Sequence, residues 1–240
     1  MCRYITPTTE YSKLYERFLL DAHGMVAGAS GSGKSTAING ILHALCCHAP
    51  CDMSYAIIDI KQVSLLDWEY LPHCMRYART VTDAHELIYQ FSATMDDRYA
   101  KMLEQRTDKY NGTHLYLIID EAADLLDSNK EIINELIHIC RLGRACNIHV
   151  IYATQSPDRK TIPSQLQQNI PCVLGLRCRS HLESRQIINA KGCETLTGVG
   201  HGYLVSSKNP TPSRVTVPYI SHDDIEQIKS WWADESHIQK

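Results

Sequence analysis

The stretch Gly28-Ala29-Ser30-Gly31-Ser32-Gly33-Lys34-Ser35 constrains this chain more than any other. It meets the G-x-x-x-x-G-K-S/T pattern in full, with the apolar run Met25-Val26-Ala27 before it and a helix-compatible stretch from about Lys34 to Cys46 after it. Glycines let the backbone wrap a phosphate, so that successive N–H groups and the helix N-terminus converge on it. Lys34 is expected to reach the β- and γ-phosphates of ATP, Ser35 to ligate Mg²⁺, and Thr36 to complete the binding stretch. The competing explanation is a glycine-rich turn that carries a lysine by chance. It leaves the complete motif, set between strand and helix, unexplained.

The rest of the chain has the pattern that such a loop needs. Tyr55 to Ile60, Leu115 to Ile119, Ile148 to Ala153 and Cys172 to Leu176 are near-continuous apolar runs, as in parallel strands covered on both faces. Between them, Ala84, Leu87, Ile88, Phe91, Met95, Tyr99 and Met102 keep one helical face, and Ile132, Ile133, Leu136, Ile137, Cys140 and Leu142 keep another. Strands alternating with helices predict an α/β fold with a doubly wound, mostly parallel sheet and helices on both faces. Gly202 to Val205 and Arg214 to Val217, flanking a Ser/Pro-rich stretch, predict an antiparallel hairpin on the sheet edge. Thr6-Pro7 reads as a helix opening before Tyr11, Leu14, Tyr15 and Phe18. Ser221 to Asp224 reads as a capping box before a last helix with Ile225, Ile228 and Trp231 inward. The expected organisation is an N-terminal helical segment (1–22), one motor domain (23–220) and a C-terminal helix and tail (221–240).

Leu115-Tyr-Leu-Ile-Ile-Asp120-Glu121 is an apolar strand ending in two acids. Asp120, at the carboxyl end where α/β sheets bind ligands, is expected to hold Mg²⁺ through water. Glu121 is expected to orient and polarise an attacking water. A solvated acidic turn is the bland alternative, and the complete phosphate loop upstream weighs against it. Gln155 ends another apolar strand with an amide that can sense a γ-phosphate. Arg144 closes the helix before that strand. It is either a finger reaching a neighbouring subunit's nucleotide or a helix C-terminal cation facing the dipole.

Composition narrows the setting. The 240 residues carry a formal net charge of −3, so nothing marks a surface coated by nucleic acid, although a ring touching DNA only through pore loops needs no excess of basic residues. No apolar run reaches membrane-span length, and Met1 to Glu10 lacks the layout of a signal peptide, so a soluble, cytoplasmic chain is expected. The ten cysteines are scattered through apolar patterns and read as buried thiols in a reducing compartment. Cys46-Cys47-His48-Ala-Pro-Cys51 lacks the second ligand pair of a zinc site.

Taken together, the motifs resemble the motor domain of the FtsK/SpoIIIE DNA translocases, within the wider HerA/FtsK class that includes conjugative coupling proteins. The matching stretches run from Gly28 to Asn39, then Ile58-Asp-Ile-Lys61, Leu71-Pro-His73, Met95 to Tyr99, and Ile119 to Leu125. They end with Gly143-Arg-Ala-Cys-Asn-Ile-His-Val-Ile-Tyr-Ala-Thr-Gln-Ser-Pro157, Asn169 to Pro171, Ser184-Arg185 and Gly200-His-Gly202. The resemblance implies a RecA-like P-loop NTPase fold, a homo-oligomeric ring of six subunits, ATP between subunits and DNA in the channel. It makes Lys34, Ser35, Asp120 and Glu121 the hydrolytic core, Gln155 the sensor and Arg144 the trans-acting finger, with Arg185 either a second, weaker interface candidate or a support for the strand before it. Ile60 stands where the family usually has proline, and Ser30 where it usually has threonine.

In the family, the segment after Gln155 lies near the channel, which makes Arg159 and Lys160 candidate phosphate contacts; a solvated loop is an equal alternative. Lys208 on the hairpin is a further candidate. The reading is an ATP-hydrolysing DNA translocase acting on double- or single-stranded DNA, of the compact kind found in mobile elements, with a recruiting or membrane-anchored partner. A secretion-type ATPase moving protein and a nucleotide-gated scaffold are the rival readings, and Glu121 argues against the scaffold.

Overall fold

A computed structural model of the chain describes residues 9–62, 64–121, 125, 130–155 and 163–234. The helix opening expected at Thr6-Pro7 lies outside these. In chain order the main elements are α1 (Thr9–Leu20), β1 (Gly24–Ala27), α2 (Lys34–Cys46), β2 (Met53–Asp59), β3 (Cys74–Ala78), α3 (Val81–Gln105) and β4 (His114–Asp120). There follow α4 (Lys130–Leu142), β5 (Ile148–Thr154), α5 (Ser164–Gln168), β6 (Cys172–Leu176), α6 (His181–Ile188), β7 (His201–Ser206), β8 (Asn209–Thr216) and α7 (His222–Ala233).

All eight strands join one sheet in the order β3-β2-β4-β5-β1-β6-β7-β8. The pairings from β3 through β6 are parallel, and β7 and β8 add an antiparallel edge. Alternation along each strand feeds two cores. Met25, Ala27, Leu115, Leu117, Ile119, Val150 and Tyr152 face α3, α4 and α6. Val26, Tyr116, Ile118, Ile151 and Ala153 face α1, α2 and α7. Side chains of period two buried on both faces are why these strands read as unbroken apolar runs.

Three details differ from the sequence reading. Cys74–Ala78 forms the parallel edge strand β3, whose mixed burial hides it from an apolar-run criterion. The terminal hairpin closes at Ser207-Lys208, so the Ser/Pro-rich stretch is strand rather than loop. Pro210 and Pro212, two residues apart, set their nitrogens on the same side of β8, and an edge strand has one side without a neighbour. In α7, Trp232 rather than Trp231 packs inward beside Ile225 and Ile228 and donates its indole N–H to Cys46 O at 2.9 Å. The capping box at Ser221 and Asp224 is present. Cys46 and Cys47 lie in the core and Cys51 is exposed. No helix among the described residues is long and apolar enough to cross a membrane.

The N-terminal helix is keyed to α2 by one glycine. Leu14, Tyr15 and Phe18 join the α2 core, and the Tyr15 ring occupies the space where a Cβ on Gly40 would stand. Gly40→Ala gains helix propensity of about 1 kcal/mol but overpacks this contact, so a net loss of roughly 1–2 kcal/mol in urea-unfolding free energy is expected. A variant as stable as the parent would mean that α1 docks loosely.

Candidate nucleotide-binding site

The loop between β1 and α2 sits at the carboxyl edge of the parallel strands. Gly31 and Gly33 take positive φ (70° and 105°), a region that costs a side-chain-bearing residue. A Cβ on Gly33 would come within 2.9 Å of Gly200 N. That contact reflects a brace: Gly200 N–H donates to Ser32 O at 2.9 Å, and Val217 N–H donates to Gly200 O at 2.7 Å. At the other end of the loop, Gly28 N–H donates to Thr154 O and Ala29 N–H to Arg177 O. The cradle is thus pinned to β5, to the residue after β6, and to the segment entering β7.

The cradle opens into a cleft of about 520 Å³ lined by Ser30, Gly31, Gly33, Lys34, Ser35, Thr36, Lys61, Ser64, Asp120, Glu121, Gln155 and Val199. Strand order explains the convergence. β5 lies between β1 and β4, so Gln155 stands between the phosphate loop and the acidic pair. Lys34 is buried and folds back on its own loop, its ammonium donating to Gly28 O at 2.9 Å and Ala29 O at 3.1 Å. Ser35 Oγ donates to Ser64 Oγ at 3.3 Å. Glu121 takes a left-handed backbone (φ 49°), rare for a residue with a side chain and a mark of local strain at functional sites. Its Oε1 accepts from Gln155 N–H at 3.3 Å, and its Oε2 lies 3.9 Å from Lys61 Nζ.

Charge is crowded here. Asp59 and Asp120 are register partners on β2 and β4. Asp59 is buried and accepts from Tyr77 OH and Gln62 N–H, both at 2.8 Å. Burial first, then the charges of Asp59 and Glu121, push the Asp120 pKa up to about 6, against the pull of Lys34 and Lys61. Burial pulls the Lys34 pKa down, opposed by Glu121 and Asp120. The residues suit a Mg²⁺–nucleotide: Asp120 is a carboxylate short of positive charge, Ser35 Oγ lies nearby, and Lys34 has only carbonyls to satisfy it. With a bound cation and phosphates, each of these groups gains a partner that the protein alone does not supply.

Lys61, read from sequence only as part of the Ile58-Asp-Ile-Lys61 stretch, joins the site together with Ser64 and Val199, to which the sequence gives no role. Asp59-Ile60-Lys61 ends an apolar strand with charge, but only the in-register pairing of β2 with β4 brings it to the acidic pair. Gly28, Ala29 and Ser32 shape the loop behind the cleft rather than lining it.

Arg144 lies elsewhere. It is exposed on the 3₁₀ turn Gly143–Cys146 that leads into β5, so the length of that strand, about 20 Å, separates it from its own cleft. The turn is held firmly. Buried Arg98 donates to Cys146 O at 2.7 Å and Asn147 O at 3.2 Å while stacking on Tyr110. Tyr99 OH donates to Leu142 O. Lys208, at the tip of the hairpin, is at that same end of the sheet. Arg185 is exposed on α6. Arg159 and Lys160 lie outside the described residues.

A folded pKa above the unfolded value means that ionising Asp120 costs stability. The cost is absent below about 4, grows as pH rises toward about 6, and is complete above it. Without nucleotide or Mg²⁺, Asp120→Asn is therefore expected to stabilise the protein near neutral pH by on the order of 2 kcal/mol. The gain should shrink on acidification. Thermal melts across that range check this, and a gain independent of pH would assign it to packing instead.

Comparison with known proteins agrees with this geometry. The family model described as "FtsK/SpoIIIE family" matches residues 8–116. The DNA translocase FtsK of Lactococcus lactis subsp. lactis (strain IL1403) is 28% identical over 239 residues, covering 90% of this chain and 31% of the relative. The DNA translocase SftA of Bacillus subtilis (strain 168) is 31% identical over 227 residues, covering 87% of this chain and 24% of the relative. The chain thus spans about a third or less of the curated relatives it matches. Among solved structures, the pCW3 conjugation coupling protein TcpA with ATPγS superposes with a TM-score of 0.75 at 22% identity, covering 89% of this chain and 66% of that one. The cytoplasmic domain of the Thermomonospora curvata type VII secretion ATPase EccC does so with the same TM-score and identity, covering 86% and 28%. The fold is that of a P-loop ATPase, and in its matched segment, its relatives and its phosphate loop the chain is similar to the FtsK/SpoIIIE family.

Proposed function

We propose that this chain is the ATP-hydrolysing motor of a cytoplasmic DNA translocase. The observation that carries the reading is the convergence of Lys34, Asp120, Glu121 and Gln155 on one cleft, in a chain whose sequence relatives are named DNA translocases. Backbone N–H groups from Ser30 to Thr36 and the Lys34 ammonium hold the phosphates. Ser35 and Asp120 hold Mg²⁺, which when bound neutralises phosphate oxygens. Glu121 orients water toward the terminal phosphate and takes up its proton, and Gln155 stands where it can detect loss of that phosphate. Arg144, too far from its own cleft, serves a neighbour's nucleotide, which requires an oligomer; a six-membered ring around DNA is the arrangement proposed. Arg159 and Lys160 are proposed to contact phosphates of the cargo. DNA transfer by a mobile element, with a recruiting or membrane-anchored partner, is the proposed setting.

A protein cargo is the second reading. A secretion ATPase shares the fold at the same TM-score as a conjugation coupling protein, so fold similarity does not separate the two. The sequence relatives favour DNA.

Steady-state ATPase assays with and without linear double-stranded DNA test the proposal. Stimulation by DNA that fades as salt rises is expected of a motor gripping phosphates through released counterions. Hydrolysis indifferent to DNA at every salt concentration would move the cargo to protein. Glu121→Gln is expected to lower turnover by about 100-fold or more while leaving ATP bound. Unchanged turnover would remove Glu121 from the role of base.

A further inference from the structure

Both oxygens of the Glu121 carboxylate face groups of this chain: Oε1 the Gln155 N–H at 3.3 Å, and Oε2 the Lys61 ammonium at 3.9 Å. Oε2 is buried and accepts no hydrogen bond, so it is held by charge alone. A carboxylate in this state is not free to orient water. The two partners differ in kind. Gln155 offers a backbone group fixed at the end of β5, whereas Lys61 offers a long side chain half exposed on the cleft wall.

The base of that side chain is pinned. Asp59 accepts from Gln62 N–H and Tyr77 OH, both at 2.8 Å, and Gln62 turns the chain with φ 54°. The Asp59–Gln62 hydrogen bond thus braces the backbone on either side of Lys61, while its half-exposed side chain lines the cleft. The charged groups around it are Lys34, Asp120 and Glu121. At 3.9 Å, with its ammonium half-exposed, this ion pair is long and lacks a hydrogen bond, and a terminal phosphate carries more charge and more acceptor oxygens than one carboxylate.

We propose that Lys61 is a positioning residue that changes partner, from Glu121 Oε2 in the nucleotide-free protein to the terminal phosphate of bound ATP. The exchange releases Glu121 for water only when a third phosphate is present. It gives the cleft a way to distinguish ATP from ADP before hydrolysis, with Lys34 serving both nucleotides. The inference rests on the nucleotide reading above.

The test is equilibrium binding of ADP and of ATPγS, with Mg²⁺, to the parent, Lys61→Met, Lys61→Arg and Glu121→Gln proteins. Lys61→Met is expected to weaken ATPγS by about tenfold, the loss of one charge-assisted contact, and to leave ADP within about twofold. Lys61→Arg should restore most of the preference. Glu121→Gln, which removes the charge that Lys61 must leave, should tighten ATPγS and not ADP. If Lys61→Met shifts both nucleotides equally, or neither, Lys61 is only a rim charge and the inference is overturned. Failure of the parent to bind either nucleotide would instead overturn the site itself, and the inference with it.

Discussion

Parallel strands cannot be joined by tight turns, and the rest of this molecule depends on that constraint. Each connection from β1 to β6 crosses back over a face of the sheet, so the carboxyl ends of those strands gather at one edge. Ligand-binding loops collect at that edge because the backbone there is free of strand pairing. The order of strands then decides which loops meet. With β5 inserted between β1 and β4, the phosphate loop, the acidic pair and Gln155 become neighbours despite being widely separated in sequence.

The resulting cleft is electrostatically incomplete. Asp120 and Glu121, with Asp59 beside Asp120 in register, stand against two ammonium groups, one of which is turned onto backbone carbonyls. A fold optimised for stability would avoid the burial, and after it the crowding of carboxylates, that lift Asp120 to about 6. Residues that carry strain or unbalanced charge mark places where the protein is arranged for a ligand. The left-handed backbone at Glu121 belongs with the same observation, since it turns the chain out of β4 immediately beside Asp120.

The opposite edge of the sheet is built differently. There the side chains of Arg98 and Tyr99 donate to backbone carbonyls flanking the Gly143–Cys146 turn, and Asn147, at its end, donates to Tyr110 O and Gly112 O in the loop before β4. That is the pattern of a rigid mount, and the exposed group it carries is Arg144. The cleft and the Arg144 turn, about 20 Å apart, cannot serve one nucleotide within one subunit. They can do so only if one copy's Arg144 edge meets another copy's cleft, which is why an arginine finger here presupposes assembly.

Much of this was legible from sequence because the signals are local. Complete motifs spell the phosphate loop and the acidic pair, and runs of Val, Ile and Leu spell strands buried on both faces. Alternating strands and helices spell the sheet class. What remained hidden depends on pairing and edges. Cys74–Ala78 is half-buried and carries no unbroken apolar run, so only its pairing with β2 marks it as a strand. The Ser/Pro-rich hairpin looks like loop because local propensity cannot know that an edge strand tolerates proline. Trp231 and Trp232 are adjacent, and the packing of α7, not its composition, chooses between them. The sequence by itself determined the fold class and the candidate residues of the phosphate loop and the acidic pair, since those follow from local pattern over a few residues. The placement of Lys61 against Glu121, and of Arg144 at the far edge, was decided only by tertiary structure, because both depend on which strands lie side by side and in what register.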